Sequence, residues 1–109
     1  MKRSLLLFSS SKNSEKIATG LKLLHVLSEK RVDDDQDLIV VLMQDAVLLA
    51  LKNYSDVDFS KVSEAYVLDE HLARRGFAEE SLRSPFKLGS YDSIIDLVMK
   101  DGTQVIGSF

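Results

Sequence analysis

The sequence contains no cysteine. It forms no disulfide, offers no thiolate nucleophile, binds no metal through cysteine and carries no persulfide of its own. A secreted domain stapled by disulfides is excluded. Long apolar runs are missing too, and nothing approaches the roughly 20 residues that a membrane span needs. The opening MKRSLLLFSSS has the look of a signal peptide, but its apolar stretch, residues 5–8, is shorter than the h-region of such a signal. The expectation is a cytoplasmic protein. There is no basic excess: 14 Lys and Arg stand against 17 Asp and Glu, for a net charge of −3. That balance gives no electrostatic case for direct nucleic-acid binding. A glycine-rich phosphate loop with its Walker-type lysine is also absent.

What remains is the composition of an ordinary folded domain, 45% hydrophobic and 28% charged, with one proline and five glycines. At 109 residues it suits a single domain spanning 1–109, with a modest core. The most informative stretch is residues 38–49, LIVVLMQDAVLL. A continuous apolar run, 38–43, fits a parallel strand covered by helices on both faces. The polar pair Gln44 and Asp45 then fits the end of that strand and the start of a helix, 45–53, with Asp45 free to cap it.

Similar patterns recur along the chain. Residues 4–8 read as a first strand. Ser14 is placed to cap a helix that carries Ile17, Leu21 and Leu24 at helical spacing and ends near Lys30. The acidic run Asp33, Asp34 and Asp35 reads as a solvated loop, as does the polar connection 53–61. Residues 64–68 form a third strand, followed at once by Asp69 and a helix through Leu72 and Arg75, with Gly76 at its C-terminal stop. Residues 79–82 make a further turn, and Pro85 blocks its continuation. Residues 86–88 are a short fourth strand, and the segment opening at Ser90 and Tyr91 is a last helix burying Ile94, Ile95, Leu97 and Val98. Asp101 and Gly102 mark a turn before a final strand, 103–106. Strands alternating with helices imply a mainly parallel five-stranded sheet with helices on both faces, in the α/β class.

A parallel sheet gathers the residues that follow its strands at one edge, where ligands of open α/β sheets bind. Three polar clusters belong there: Gln44 and Asp45; Asp69, Glu70 and His71; and Ser90, Tyr91 and Asp92. Capping is the simplest role for Asp45, Asp69 and Ser90. Asp69, Glu70 and His71 have the donor types for acid–base work or metal binding, yet three adjacent residues seldom point at one centre. His25 lies mid-helix beside the apolar stripe and reads as structural. Ser9, Ser10 and Ser11 could hold an anion at the following helix start. Arg74 and Arg75 most simply cover helix surface, although paired arginines also suit a carboxylate or phosphate. No spacing suggests a Ser-His-Asp triad, and no catalytic group, metal site or cofactor site is expected.

Residues 40–50, VVLMQDAVLLA, resemble the strand-Gln-Asp-small-Val signature of the DsrH/TusB family. Residues 65–77, AYVLDEHLARRGF, are similar to that family's third strand running into Ala-Arg-Gly, and residues 91–98, YDSIIDLV, to its Tyr-containing last helix. Phe109 parallels its terminal tryptophan. The resemblance implies a DsrE-like fold and a part in sulfur relay, where related subunits pass persulfide sulfur between cysteines toward tRNA wobble-uridine thiolation or within sulfur oxidation. It implies assembly with DsrE/TusD-like and DsrF/TusC-like subunits, or self-association. Some DsrH-type members carry a cysteine; this chain has none, and its 54–62 loop is longer than usual. The role implied is a non-catalytic subunit, with Gln44, Asp45, Asp69, Glu70, His71 and Tyr91 at the strand-end edge. A stand-alone small-molecule or anion-binding module, and a hydrolase using Asp69 and His71, are the alternatives.

Overall fold

A computed structural model describes residues 2–11, 14–30, 36–52, 59 and 61–109. The acidic run at Asp33, Asp34 and Asp35 and most of the 53–61 connection lie outside the described residues. Five strands, β1 (Lys2–Phe8), β2 (Gln36–Leu42), β3 (Glu64–Leu68), β4 (Phe86–Gly89) and β5 (Thr103–Ser108), form one sheet in the order β4-β3-β2-β1-β5. Every adjacent pair runs parallel, with Leu5 opposite Ile39, Val40 opposite Ala65 and Val67 opposite Leu88. The α/β architecture expected from the apolar runs is the observed one. Among the described residues three α-helices lie between the strands: α1 (Glu15–Lys30), α2 (Asp69–Arg74) and α3 (Tyr91–Met99).

The pleat divides the sheet's side chains between two unequal cores. On one face Leu6, Phe8, Leu38, Val40, Leu42, Ala65 and Val67 pack against Ile17 and Leu24 of α1, Leu72 of α2 and Ala46, Val47 and Leu49 from the segment after β2. On the other face Leu5, Ile39, Val41 and Leu68 meet Ile94 of α3, with Leu97 and Val98 at the margin. Each fully buried Leu, Ile or Val contributes about 1.5–3 kcal/mol, so the first face anchors the fold and α3 is the lightly held element. Ile95, expected inside, is 55% exposed.

The local signals for helix ends are partly realised. Ser14 Oγ accepts the Ile17 N–H at 3.2 Å and Ser90 Oγ accepts the Ser93 N–H at 3.1 Å, so α1 and α3 are capped as expected. At the end of α2, Gly76 has φ +81°, its N–H donates to the Ala73 carbonyl and the next N–H, of Phe77, donates to the Leu72 carbonyl. This is a Schellman close, and the left-handed residue in it is why glycine stands there. The segment after β2 differs from expectation. It is a 3-10 helix, Gln44–Ala50, rather than an α-helix over 45–53, and no side chain of its own caps it.

The loop after β1 is closed by the other end of the chain. Phe109 N–H donates to the Leu7 carbonyl, and the Phe109 carbonyl accepts N–H groups from Ser9 and Ser10 at 2.7 and 3.0 Å. Those two backbone donors, considered above for an anion, are spent on Phe109. The Phe109 ring packs on Phe8 with centroids 5.6 Å apart.

Candidate functional site

The connections fix where a site belongs. The chain leaves β1, β2 and β3 toward the first face, as shown by the packing of α1, the 3-10 helix and α2. It leaves β4 toward the opposite face, where α3 packs. The connections that follow the paired ends of neighbouring strands β3 and β4 thus diverge to opposite faces, and such divergence leaves a crevice beyond the strand ends. His71, in the first turn of α2, and Tyr91, the first residue of α3, stand on the two sides of that crevice.

Their side chains close it. His71 is buried, and its Nε2 lies 2.8 Å from the Tyr91 hydroxyl, the two rings meeting edge-on with centroids 5.7 Å apart. The other ring nitrogen, Nδ1, accepts the backbone N–H of Gln44 at 2.7 Å. A backbone N–H only donates, so Nδ1 carries no proton, and the neutral ring holds its hydrogen on Nε2 and gives it to the Tyr91 oxygen. Burial, and then the charges of Arg74 and Arg75, hold the imidazole below the ordinary histidine range.

The Gln44 contact explains the missing cap. The first N–H groups of a helix need acceptors, and Asp45 was expected to supply one. Instead Gln44 takes a left-handed backbone, φ +50°, and His71 of the next strand-helix unit provides the acceptor. A non-glycine residue in that region is strained by about 1–2 kcal/mol, comparable to what one net hydrogen bond returns. Asp45, freed from capping, turns to Arg75, whose Nη2 and Nε donate to one carboxylate oxygen at 2.8 and 3.2 Å. Arg75 also donates from Nη1 to the His71 carbonyl at 2.9 Å. It thereby ties α2 to the 3-10 helix.

Of the six residues expected at the edge, Gln44, Asp45, His71 and Tyr91 come together. Asp69 and Glu70 do not join them. Asp69 is the first residue of α2 rather than its cap, and its Oδ1 accepts the Glu70 N–H at 2.6 Å. Glu70 is exposed and pairs with Arg74 at 3.0 Å along the helix. Both ring nitrogens of His71 are engaged elsewhere, so no Asp69–His71 pair forms. Arg75, read from sequence as surface cover, belongs to the site; its place four residues after His71 puts the two on one helix face, which is the signal that could have found it. Gln44, Asp45, His71, Arg74 and Arg75 line an open depression of about 620 Å³.

Elsewhere, His25 is solvent-facing, 3.9 Å from Glu29. At the opposite end of the strands Arg3, nearly buried, pairs with Glu64 at 3.1 Å, and Glu64 also accepts the Tyr66 hydroxyl at 2.8 Å. Burial and the adjacent Glu64 push the Tyr66 phenol above its ordinary range. Among the described residues, no three His, Asp or Glu side chains gather as a metal site would require, and no helix is long and apolar enough to cross a membrane.

Residues 20–104 match the sequence model of a family described as DsrH like protein. No curated protein matches the chain. Among solved structures, the chain superposes on the YchN protein of E. coli with a TM-score of 0.81, at 17% identity and over 100% of both chains. A protein of unknown function from Methanobacterium thermoautotrophicum, MTH1491, aligns with a TM-score of 0.73 at 14% identity, covering 97% of this chain and 98% of that one. Tm0979 from Thermotoga maritima aligns less closely, with a TM-score of 0.53 at 20% identity over 87% of this chain and 90% of the other. These likenesses establish the shared fold.

Proposed function

The chain belongs to the DsrH-like family, and on that premise we propose that it is a non-catalytic subunit of a sulfur-relay complex, serving tRNA wobble-uridine 2-thiolation or sulfur oxidation. The observation that carries this reading is a family fold with no cysteine anywhere in its 109 residues. Persulfide chemistry needs a thiolate, so the travelling sulfur resides on the cysteine of a partner. The hydrogen bonds among Gln44, His71 and Tyr91 support a shaping role, because they close the strand-end edge with groups already satisfied by one another.

The surface supports an assembled state. Tyr91, Ile95 and Met99 repeat at four-residue spacing on α3 and are 43, 55 and 76% exposed. An apolar stripe of this kind on a lightly packed helix supports the reading of α3 as a contact surface. The partners proposed are DsrE/TusD-like and DsrF/TusC-like subunits, with self-association as the other arrangement, in the cytoplasm. The anion-binding alternative is less well supported, since the Ser9 and Ser10 amides are bound to Phe109.

The test is native mass spectrometry of the protein alone and with the DsrE-like and DsrF-like proteins encoded beside it, joined to a deletion assayed for thiolated tRNA and for sulfur oxidation. A defined hetero-oligomer and a deficit in one of the two activities are expected. No association with any such protein, with both activities intact after deletion, would overturn the proposal.

A further inference from the structure

One imidazole joins three elements. His71 Nδ1 accepts from the first residue of the 3-10 helix, its Nε2–H donates to the first residue of α3, and its own carbonyl, in α2, is held by Arg75 just past that helix. The Nδ1 bond requires the neutral form with the proton on Nε2, whereas the donation from Nε2–H to Tyr91 survives protonation. A second proton would sit on Nδ1 and face the Gln44 N–H, donor against donor, at a distance of 2.7 Å.

The surroundings give an imidazolium little help. On its own helix, Arg74 and Arg75 oppose a positive ring, and Glu70 is engaged with Arg74. From the 3-10 helix the nearby charge is Asp45, which is bound to Arg75. From α3 the group facing the ring is the Tyr91 hydroxyl, followed in sequence by the exposed Asp92. Among the described residues no carboxylate hydrogen-bonds to the ring. Gln44 is the vulnerable partner, because its left-handed backbone is strained for a residue with a side chain.

We propose that His71 is a proton-operated pin. Neutral, it fastens the Gln44 turn and α2 to α3 across the crevice beyond the ends of β3 and β4. Protonated, it releases the Gln44 N–H, and the strand-end edge loosens. The pin would make the shape of this edge, and any association through it, sensitive to pH in the mildly acidic range. The inference concerns the edge itself and holds whether or not a sulfur-relay partner docks there.

The experiment uses the full ¹⁵N-labelled chain without any partner, so its outcome is separate from that of the subunit reading. Ring nitrogen shifts of His71 and the hydrogen-exchange protection factor of the Gln44 amide are followed from about pH 7.5 to about pH 5, the range in which histidines titrate. Expected are a neutral ring protonated on Nε2, a midpoint below the ordinary histidine value, and an approximately tenfold fall in Gln44 protection over the titration centred on that midpoint, the effect of losing about one net hydrogen bond. Amides within α1 keep their protection. His71→Asn, whose amide oxygen accepts but does not titrate, holds the Gln44 protection constant over the same range. A neutral ring protonated on Nδ1, or Gln44 protection that ignores the His71 titration, overturns the proposal. The wild-type titration decides this even if the asparagine variant fails to fold.

Discussion

Gly20→Ala tests the docking of the C-terminal residue, and its sign follows from geometry. Within an exposed helix, alanine in place of glycine gains about 1 kcal/mol through a less mobile unfolded chain and better helix propensity. Gly20 sits in α1 against β1 and Phe109. A methyl group there would lie 2.6 Å from Phe109 Cγ, 2.6 Å from Phe8 Cε1 and 2.9 Å from Phe109 Cβ. None of these contacts yields easily. Phe8 is wholly buried on β1, and the Phe109 atoms are those nearest its backbone, which is fixed by hydrogen bonds to Leu7, Ser9 and Ser10. Overpacking of this kind costs about 1–3 kcal/mol. Subtracting the helix gain leaves a net loss of up to about 2 kcal/mol, a fall of up to several degrees in melting temperature for a domain of this size. Urea denaturation measures it, with m unchanged if the unfolded state is unaffected. Combining Gly20→Ala with Phe109→Ala removes the clash with Phe109 Cγ and leaves those with Phe8 Cε1 and the Cβ of residue 109, so the alanine at 20 should cost less in that background, a coupling that the double-mutant cycle reads directly. If Gly20→Ala is more stable than the parent, the full helix gain is realised without a clash, Phe109 does not lie over Gly20 in solution, and the closure of the β1 loop described above is wrong.

Other outcomes follow from single contacts. Because the His71 pKa is lowered in the folded protein, the unfolded chain binds the additional proton first as pH falls. Stability conferred by the neutral ring is therefore complete above the unfolded value near 6.5 and is lost as pH drops from there toward the folded pKa, by at most about 1.4 kcal/mol per pH unit. Denaturation at several pH values should show that slope, and His71→Asn should remove it. Ser90→Ala, which deletes the cap of α3, should cost about 1 kcal/mol by thermal melting; no loss would mean that α3 does not start there. Asp45→Asn should cost less than about 1 kcal/mol, because Asp45 is 58% exposed and its bond to Arg75 is screened. Leu49→Ala, at a site 1% exposed, should cost about 2–5 kcal/mol, and a smaller loss would place the 3-10 helix outside the core.

The parts of the fold that were legible in the sequence are those whose cause is local. The run at 38–43 marks a buried parallel strand because burial on both faces removes the need for alternation. β3 was read at its observed bounds, since Glu64 and Asp69 bracket a short apolar core. Ser14 and Ser90 cap their helices because a hydroxyl reaches an N–H two or three residues on, whatever the remainder of the chain does. The misreadings at Asp45 and Asp69 have a different origin. A cap can come from anywhere in the fold, and the one for the 3-10 helix comes from His71, 27 residues away in sequence. Nothing within a local window announces that partner, nor the left-handed Gln44 it stabilises. The same reason hid Arg75, whose role depends on Asp45, 30 residues distant.

The choice of face by each crossover determines what this edge can do. Had α3 followed α2 to the first face, Tyr91 would stand on the same side of the sheet as His71, and no crevice would open between the connections that follow β3 and β4. Because α3 crosses to the other face, the residue that starts it is available to bridge the gap, and a histidine in the first turn of α2 reaches across. That bridge uses both nitrogens of the one buried imidazole, leaving neither for proton transfer to a substrate while the edge is intact. The proposed non-catalytic role draws on two facts, that the chain has no thiol and that its buried histidine is engaged at both nitrogens. On this reasoning, a cysteine introduced at the exposed Gln44 position would add a reactive group at the edge without creating a relay site, because His71 would still be committed to the backbone N–H of residue 44 and to Tyr91. Sulfur transfer by such a variant, with its His71 contacts intact, would contradict the view that the chemistry has to come from another subunit.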